Sequence, residues 1–346
     1  MSKGILTVTV NPAVDVTVAL PAAGPLRRRS EVPPTAEAGA ATPDIFGQGA
    51  GTADLRMRCS TNLVLSAGGK GINVARALRA LRVRALAVGV AGGSAGELLQ
   101  KLLREERIPA EFVEVPESTR FNVTVLGPRP GHCRRILGEG PRLTSKEIRR
   151  FESHYRRWLR RSYFVVLSGR NAVGTPVDWY ARLVRLARRE GVPAAVDTSG
   201  AALAAALQAK PFLIKPNLAE AEEILQCRIN SSLKIKNSVR RFHGRGISVV
   251  LLSLGARGAV ASAGQEIWCA RPPRVRAVNE VGCGDALLAG FIQAHGGGKS
   301  LPEALRQAVA CGTANVFNST PGLIHPHDVL RLIKKVTVSN RGTRGR

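Results

Sequence analysis

Residues 194–225 read Ala194-Ala-Val-Asp-Thr-Ser-Gly-Ala-Ala-Leu-Ala-Ala-Ala-Leu-Gln-Ala-Lys-Pro-Phe-Leu-Ile-Lys-Pro-Asn-Leu-Ala-Glu-Ala-Glu-Glu-Ile-Leu225. The apolar run ending at Asp197 predicts a buried strand, and the alanine- and leucine-rich run from Ala201 to Gln208 predicts a short helix. Phe212 to Ile214 then predicts a second strand, and Leu218 to Leu225 a second helix after the turn Lys215-Pro-Asn217. Strand and helix alternating at this spacing is the signature of βαβ units, in which parallel strands are joined by helices that cover the sheet.

The same texture extends to both sides. Upstream, Phe164 to Leu167 predicts a strand ending at Ser168-Gly169, and Val177 to Glu190 a helix; Ser145 to Arg161 predicts a basic amphipathic helix. Before these, Ile72 to Leu81 and Glu97 to Glu106 predict helices, and Ala85 to Val90, Ala110 to Val115 and Phe121 to Leu126 strands. Downstream, Ser248 to Leu252 predicts a strand, residues 259–261 and 266–270 a hairpin, and Asp285 to His295 and Leu301 to Asn318 helices. Residues 5–10 and 13–20 predict strands on either side of the turn Asn11-Pro12. Residues 22–61 are rich in Ala, Gly, Pro and Thr and read as an irregular insertion. The polar, basic stretch from Val336 to Arg346 is expected to be a disordered tail.

Composition narrows the function classes. The hydrophobic fraction of 44% over 346 residues supplies a sizeable core. No apolar run reaches the ~18–20 residues of a membrane helix, and the start lacks a secretory signature. A cytoplasmic protein is therefore expected. The six cysteines form no C-x-x-C pair and no zinc-type cluster, which points to free thiols. The formal net charge is +26. Such a charge attracts phosphates and nucleic acid. Yet the arginines are spread along the chain without interleaved aromatics, so a solvated arginine-rich surface is the better reading and no specific nucleic-acid partner is expected.

Two glycine loops carry the chemistry. In Val281-Gly-Cys-Gly-Asp-Ala-Leu-Leu-Ala-Gly-Phe291, an acid stands where a helix opens. The unpaired N–H groups and dipole of a helix N-terminus make an anion site. Asp285 beside it can take a proton from a hydroxyl that attacks a γ-phosphoryl group, with the amides of Gly282, Cys283 and Gly284 on the phosphoryl oxygens. The alternative is that Asp285 merely caps the helix. The second loop, Ala67-Gly-Gly-Lys-Gly-Ile-Asn-Val-Ala-Arg76, lacks Walker spacing but can hold a substrate anion through Lys70 and backbone amides.

Together the two loops resemble the PfkB branch of ribokinase-like sugar kinases, and within it the 1-phosphofructokinase and tagatose-6-phosphate kinase subgroup. Further segments carry the resemblance: Thr9-Val-Asn-Pro-Ala-Val-Asp15, Ser118-Thr-Arg-Phe-Asn122, Leu167-Ser-Gly169, Asp197-Thr-Ser-Gly200, Ile214-Lys-Pro-Asn-Leu-Ala-Glu220 and Ser253-Leu-Gly-Ala-Arg-Gly258. The resemblance implies an α/β fold: a three-layer α/β/α kinase domain spanning 1–335, with a mostly parallel central sheet and a small β-sheet lid. Lid and insertion together would take up about residues 16–65. It also implies that ATP phosphorylates fructose 1-phosphate or tagatose 6-phosphate to the bisphosphate. By resemblance, Asp15, Gly69, Lys70, Asn73 and Arg120 bind the sugar phosphate, with Arg120 on its phosphate. Lys215, Asn217, Ser253, Gly255 and Gly258 serve ATP, and Asn217 and Glu220 support Mg²⁺ through water. A homodimer through the lid is a further implication.

Three departures bear on this reading. Cys283 replaces a small residue between the glycines, and a thiol there could be sensitive to oxidation. Arg170 stands where the family has a serine that touches the substrate phosphate, so it either strengthens that contact or blocks the pocket. The insertion lengthens the lid, and Arg27 to Arg29 within it are candidates to reach the phosphate. The competing reading is a kinase fold that has lost catalysis and acts as a binding or nucleic-acid-associated protein.

Overall fold

A computed structural model of the chain describes residues 3–19, 63–127 and 133–341. Ten strands form one sheet in the order β14-β13-β12-β11-β10-β9-β8-β1-β4-β5. Its parallel part comprises β1 (Gly4–Thr9), β4 (Ala85–Ala91), β5 (Ala110–Glu114), β8 (Ser162–Ser168), β9 (Ala194–Asp197), β10 (Leu213–Ile214) and β11 (Val249–Ser253). An antiparallel meander of β12 (Ala259–Ala263), β13 (Glu266–Arg271) and β14 (Thr337–Asn340) completes one edge.

Strand side chains alternate between two cores, as a pleated strand requires. On β8, Phe164 and Val166 face one core, while Val165 and Leu167 face the other. The first core lies under α1 (Lys70–Ala80), α2 (Gly93–Glu105), α8 (Cys283–Gly296), α9 (Leu301–Asn315) and α10 (Pro326–Ile333). The second lies under α3 (Ser145–Arg160), α4 (Trp179–Arg189), α5 (Gly200–Leu207), α6 (Leu218–Leu225) and α7 (Ser232–Gly244). Helices thus cover both faces. From β1 the sheet grows one way through α1 and α2, and the other way through α4 to α7. Crossovers of one hand that travel in opposite directions must lie on opposite faces.

Sequence explains the local starts. Thr144 caps α3 with a capping box closed by Glu147. The buried face of that helix sets Phe151 edge-to-face with Trp158 and with Trp179 of α4. The indole N–H of Trp179 donates to Glu152, so burial strands no donor.

Four further strands form a separate small sheet in the order β3-β2-β6-β7: β2 (Ala13–Ala19), β3 (Leu63–Gly68), β6 (Arg120–Leu126) and β7 (Cys133–Leu137). β2 and β6 pair in parallel and the other pairs are antiparallel. The lid strands expected near residues 16–20 and 62–65 are β2 and β3, but half of this sheet comes from β6 and β7. The whole of the 22–61 insertion, including Arg27 to Arg29, lies outside the described residues.

One expectation is corrected. The stretch from Val336 is not a disordered tail throughout. Thr337–Asn340 adds β14 to the sheet edge, and Val336 is 5% exposed against the first core. Val336 and Val338 alternate with Thr337 and Ser339 and turn to the first core, a strand pattern that the surrounding basic residues mask in the sequence.

Candidate active site

The chain runs away from β1 in both directions, so the topological switch lies between β1 and β8. Open α/β sheets bind ligands outside the carboxyl ends of the strands at such a point. Here those ends present Asn11 after β1, Ser168 on β8, Asp197 on β9, Lys215 after β10 and Ser253 on β11.

Asp285 sits in the first turn of α8 and is 5% exposed. Its Oδ2 accepts a hydrogen bond of 2.8 Å from Nδ2 of Asn73. It does not act as the cap: Gly282 holds that position in the left-handed region, at φ 87°. A Cβ on Gly282 would lie 2.5 Å from the Gly322 amide nitrogen, so both backbone and packing demand glycine there. Burial pushes the Asp285 carboxyl up to about 6, helped by the nearby Asp197 charge and opposed by Lys70, Asn73 and Lys215. A base poised there is charged at neutral pH and still accepts a proton readily.

Asp197 is fully buried between two lysines. Lys70 Nζ donates to its Oδ1 at 2.9 Å, and Lys215 Nζ lies 3.2 Å from Oδ2. Burial alone would raise Asp197, but the two ammonium groups prevail and hold it below the usual carboxylate range. Burial likewise works against the charge on Lys70, yet Asp197 and Asp285 together keep its pKa raised. A Cβ on Gly284 would sit 3.2 Å from the Lys215 ammonium, which places that cation at the mouth of α8. The amides of Gly282, Cys283 and Gly284 therefore open onto a space flanked by a lysine. Cys283 N–H itself makes only a long contact, 3.4 Å, with the Glu280 carbonyl.

The small sheet supplies the other wall. Register puts Asp15 opposite Asn122, and Ala13 opposite Arg120. Asn122 Nδ2 donates to Asp15 Oδ1 at 2.7 Å. Arg120 donates to the carbonyls of Gly138 and Asn11, at 2.9 and 3.0 Å, while its Nε is buried without a partner. Its guanidinium is pulled down first by burial and then by the charges of Arg170 and Arg135, against the pull of Asp15. These three arginines share one electrostatic environment with Asp15, to whose charge Arg135 also speaks. Buried polar atoms without a hydrogen-bond partner gather here: Asn11 Oδ1, Ser66 Oγ, Arg120 Nε, Asn122 Oδ1, Ser168 Oγ and Asn171 Oδ1. Such groups are costly unless something completes them, and all of them lie at the strand ends or on the small sheet.

The remaining expected residues fall beside this space with mixed outcomes. Gly69 caps α1 at φ 120°, a conformation only glycine adopts readily. Arg170 is exposed at the end of β8. Asn217 and Glu220 form a capping box on α6: Asn217 Oδ1 accepts from Glu220 N–H, and Glu220 Oε2 accepts from Asn217 N–H, each at 2.9 Å. Their first duty is thus structural. Ser253 extends the β10–β11 pairing by bridging to Asn217. Gly255 and Gly258 both have positive φ; a Cβ on Gly258 would strike the Ala270 carbonyl, whereas one on Gly255 would meet open space. Gly255 is the glycine of this loop that a ligand can approach.

Among the described residues no three His, Cys, Asp or Glu side chains cluster as a metal site. Mg²⁺ keeps several waters and needs only one or two carboxylates beside substrate phosphates. The capping box leaves Glu220 Oε1 for such a role, and the Glu220 charge is felt by Lys70.

Sequence reasoning assigned no role to Asp197, Asn122, Arg76 or Arg135. Asp197 carried a usable signal, an acid ending an apolar strand run. Arg135 carried none, since its place on the pocket face of β7 follows from pairing with Thr124.

Comparison with known proteins agrees with this geometry. Residues 53–327 match the model of the pfkB family carbohydrate kinases. The chain is 31% identical over 276 residues to a tagatose-6-phosphate kinase of Staphylococcus epidermidis, covering 79% of this chain and 88% of that one. It is 34% identical over 257 residues to the 1-phosphofructokinase of Bacillus subtilis, covering 74% and 83%. Its fold matches the phosphofructokinase-2 of Escherichia coli in complex with substrates and products, with a TM-score of 0.82, 27% identity and coverage of 96% and 99%. With a buried acid at a helix mouth and a family match over most of its length, the chain belongs to the pfkB family of carbohydrate kinases.

Proposed function

We propose that the protein transfers the γ-phosphoryl group of ATP to a hydroxyl of a ketohexose monophosphate, fructose 1-phosphate or tagatose 6-phosphate, giving the bisphosphate. One observation carries this reading: the carboxylate of Asp285, tuned to about 6 by burial, stands at the N-terminus of α8 between Asn73 and Lys70. In the reaction, Asp285 accepts the acceptor's hydroxyl proton as its oxygen bonds to the γ-phosphorus. The bond to the β–γ bridging oxygen breaks and ADP departs. The amides of Gly282 to Gly284 and Lys215 hold the transferring oxygens, and Lys70 offsets charge near the acceptor. Glu220 and Asn217 would hold Mg²⁺, which would supply further neutralisation of the phosphates.

Asp15 and Asn122 take the sugar hydroxyls. Arg120, with Arg170 and Arg135 beside it, takes the phosphate already on the sugar, because a guanidinium fork matches phosphate oxygens. A neutral sugar would leave this arginine group without an anion. The two named relatives act on tagatose 6-phosphate and on the substrate of 1-phosphofructokinase, which is why both acceptors stand.

The kinase domain extends to Asn340, whose strand β14 belongs to the central sheet, and the protein works as a homodimer through the small sheet. Leu63, Leu65, Phe121 and Ile136 share the sheet face opposite Asp15 and are 58%, 41%, 47% and 70% exposed. A row of large apolar side chains in one patch marks an interface. An ADP-release assay over fructose 1-phosphate, tagatose 6-phosphate, fructose 6-phosphate and the free sugars tests the activity. Turnover on a phosphorylated ketohexose alone is expected. No turnover on any acceptor, with tight salt-sensitive DNA binding, would replace this reading with that of a binding protein.

A further inference from the structure

Arg76 lies in the middle of α1 and is 3% exposed. A buried guanidinium is tolerated only when its five N–H donors are matched. All five are. Nε donates to Glu106 Oε2 at 2.5 Å and Nη2 to Glu106 Oε1 at 2.8 Å. Nη2 also donates to the carbonyl of Ala67 at 2.6 Å. Nη1 donates to the carbonyl of Pro321 at 2.6 Å and to Asn73 Oδ1 at 3.0 Å.

Besides Glu106, each acceptor belongs to a part the reaction needs. Ala67 is the penultimate residue of β3 of the small sheet. Pro321 belongs to the turn against which Gly282, the cap of α8, is packed. Asn73 is the residue that donates to Asp285. The last contact settles an orientation. An amide can present either end to a neighbour, but Arg76 offers only donors, so the Asn73 oxygen must face it. The Asn73 NH2 group is thereby turned toward the Asp285 carboxylate.

We infer that Arg76 is a positioning residue, which locks the Asn73 amide so that it orients Asp285 and joins that base to the last turn of the sugar-facing lid strand β3. The inference rests on the reading of Asp285 as the base. Lysine cannot replace Arg76, because an ammonium has three donors at one point where the site uses five around a plane.

The titration of Asp285 reports on the link. Its carboxyl is faced by Asp197 from β9, by Lys70 and Asn73 from α1, and by Lys215 after β10. Of these, only Asn73 is held by Arg76. Loss of the Asn73 hydrogen bond removes an influence that stabilises the carboxylate, so the pKa of the base rises.

The test is the pH profile of kcat/KM in the full-length enzyme for Arg76→Lys, Glu106→Gln and Asp285→Asn. Arg76→Lys is expected to lower kcat by roughly 10- to 100-fold through misplacement of the base, leave the KM for ATP unchanged, and move the acid limb above the wild-type position. Glu106 is 27% exposed, so Glu106→Gln keeps the fold while presenting an N–H to the guanidinium. It should move the limb the same way by less. A folded Arg76→Lys with a wild-type limb overturns the inference. If Arg76→Lys does not fold, a wild-type limb in Glu106→Gln overturns it instead. Substantial turnover by Asp285→Asn would overturn the base assignment itself, a distinct result.

Discussion

At the residue scale, Asp285 and Asp197 divide two tasks that one carboxylate could not perform. Both are buried, but Asp197 has a lysine on each side and stays ionised, while Asp285 has an amide donor and rises to about 6. Replacing Asp285 with Asn should lower turnover by several orders of magnitude, read by ADP release at saturating substrates. In the wild type, kcat/KM should fall as pH drops through about 6, because the base is then protonated; a flat profile down to pH 5 would exclude Asp285 from that role. Asp197 contributes differently. Its folded pKa is depressed, so its stabilising effect is present above the unfolded carboxylate pKa of about 3.9 and is lost as pH falls through the folded value. Asp197→Asn leaves Lys215 buried and unpaired and should cost about 3–5 kcal/mol in denaturant melts. Cys283 needs a revised view. Burial pushes its thiol up to about 12, and its Sγ accepts from Asn315 Nδ2 at 3.3 Å. A thiol that is hardly ionised reacts slowly with peroxide, so wild type and Cys283→Ala should lose activity to peroxide at the same rate.

At the element scale, the mouth of α8 depends on a backbone shape as much as on its acid. Gly282→Ala would put a Cβ into the turn at Pro321 and Gly322 while φ is 87°. A loss of roughly 1–3 kcal/mol is expected, with a fall in turnover from displaced amides; an unchanged melting midpoint would show that the turn yields freely. The small sheet is two-faced for a reason its period explains. Along β2, Asp15 and Thr17 face one way, and Val14, Val16 and Val18 the other. Pairing then assembles a polar face with Asn122 and an apolar face with Leu65 and Phe121. Not all elements announced themselves. The helix α7 buries only Ser238, Val239 and Phe242 and carries Ser, Asn and Gly, so its pattern is faint. The strand β7 has no apolar alternation, and β14 shows only two alternating valines, Val336 before it and Val338 within it, in a polar, basic stretch.

At the scale of the whole molecule, the apolar lid face makes a prediction about assembly. Ile136→Asp should shift the enzyme from dimer to monomer by light scattering, since a charge at the centre of an apolar contact is unpaired there. An unchanged mass would remove the lid from the interface. The basic charge of +26 adds attraction for phosphorylated substrates and ATP without specifying either. Much of the design was legible in the chain itself. Alternating strand and helix patterns implied a covered parallel sheet, and glycines before an acid implied an anion site with a base, because spacing and backbone freedom are local properties. The sequence alone therefore determined the family and the central architecture, and it singled out Asp285, Lys70, Asp15 and Arg120 as candidates for the site. Tertiary structure alone decided that Asp197 holds both lysines, that Arg135 joins Arg120, and that Arg76 ties the lid to the base, whereas the cap formed by Asn217 and Glu220 is a local N-x-x-E pattern. The former roles depend on which strands become neighbours and on which donors meet in a buried space, and no local pattern encodes contacts such as Lys70 with Asp197 or Asn73 with Asp285.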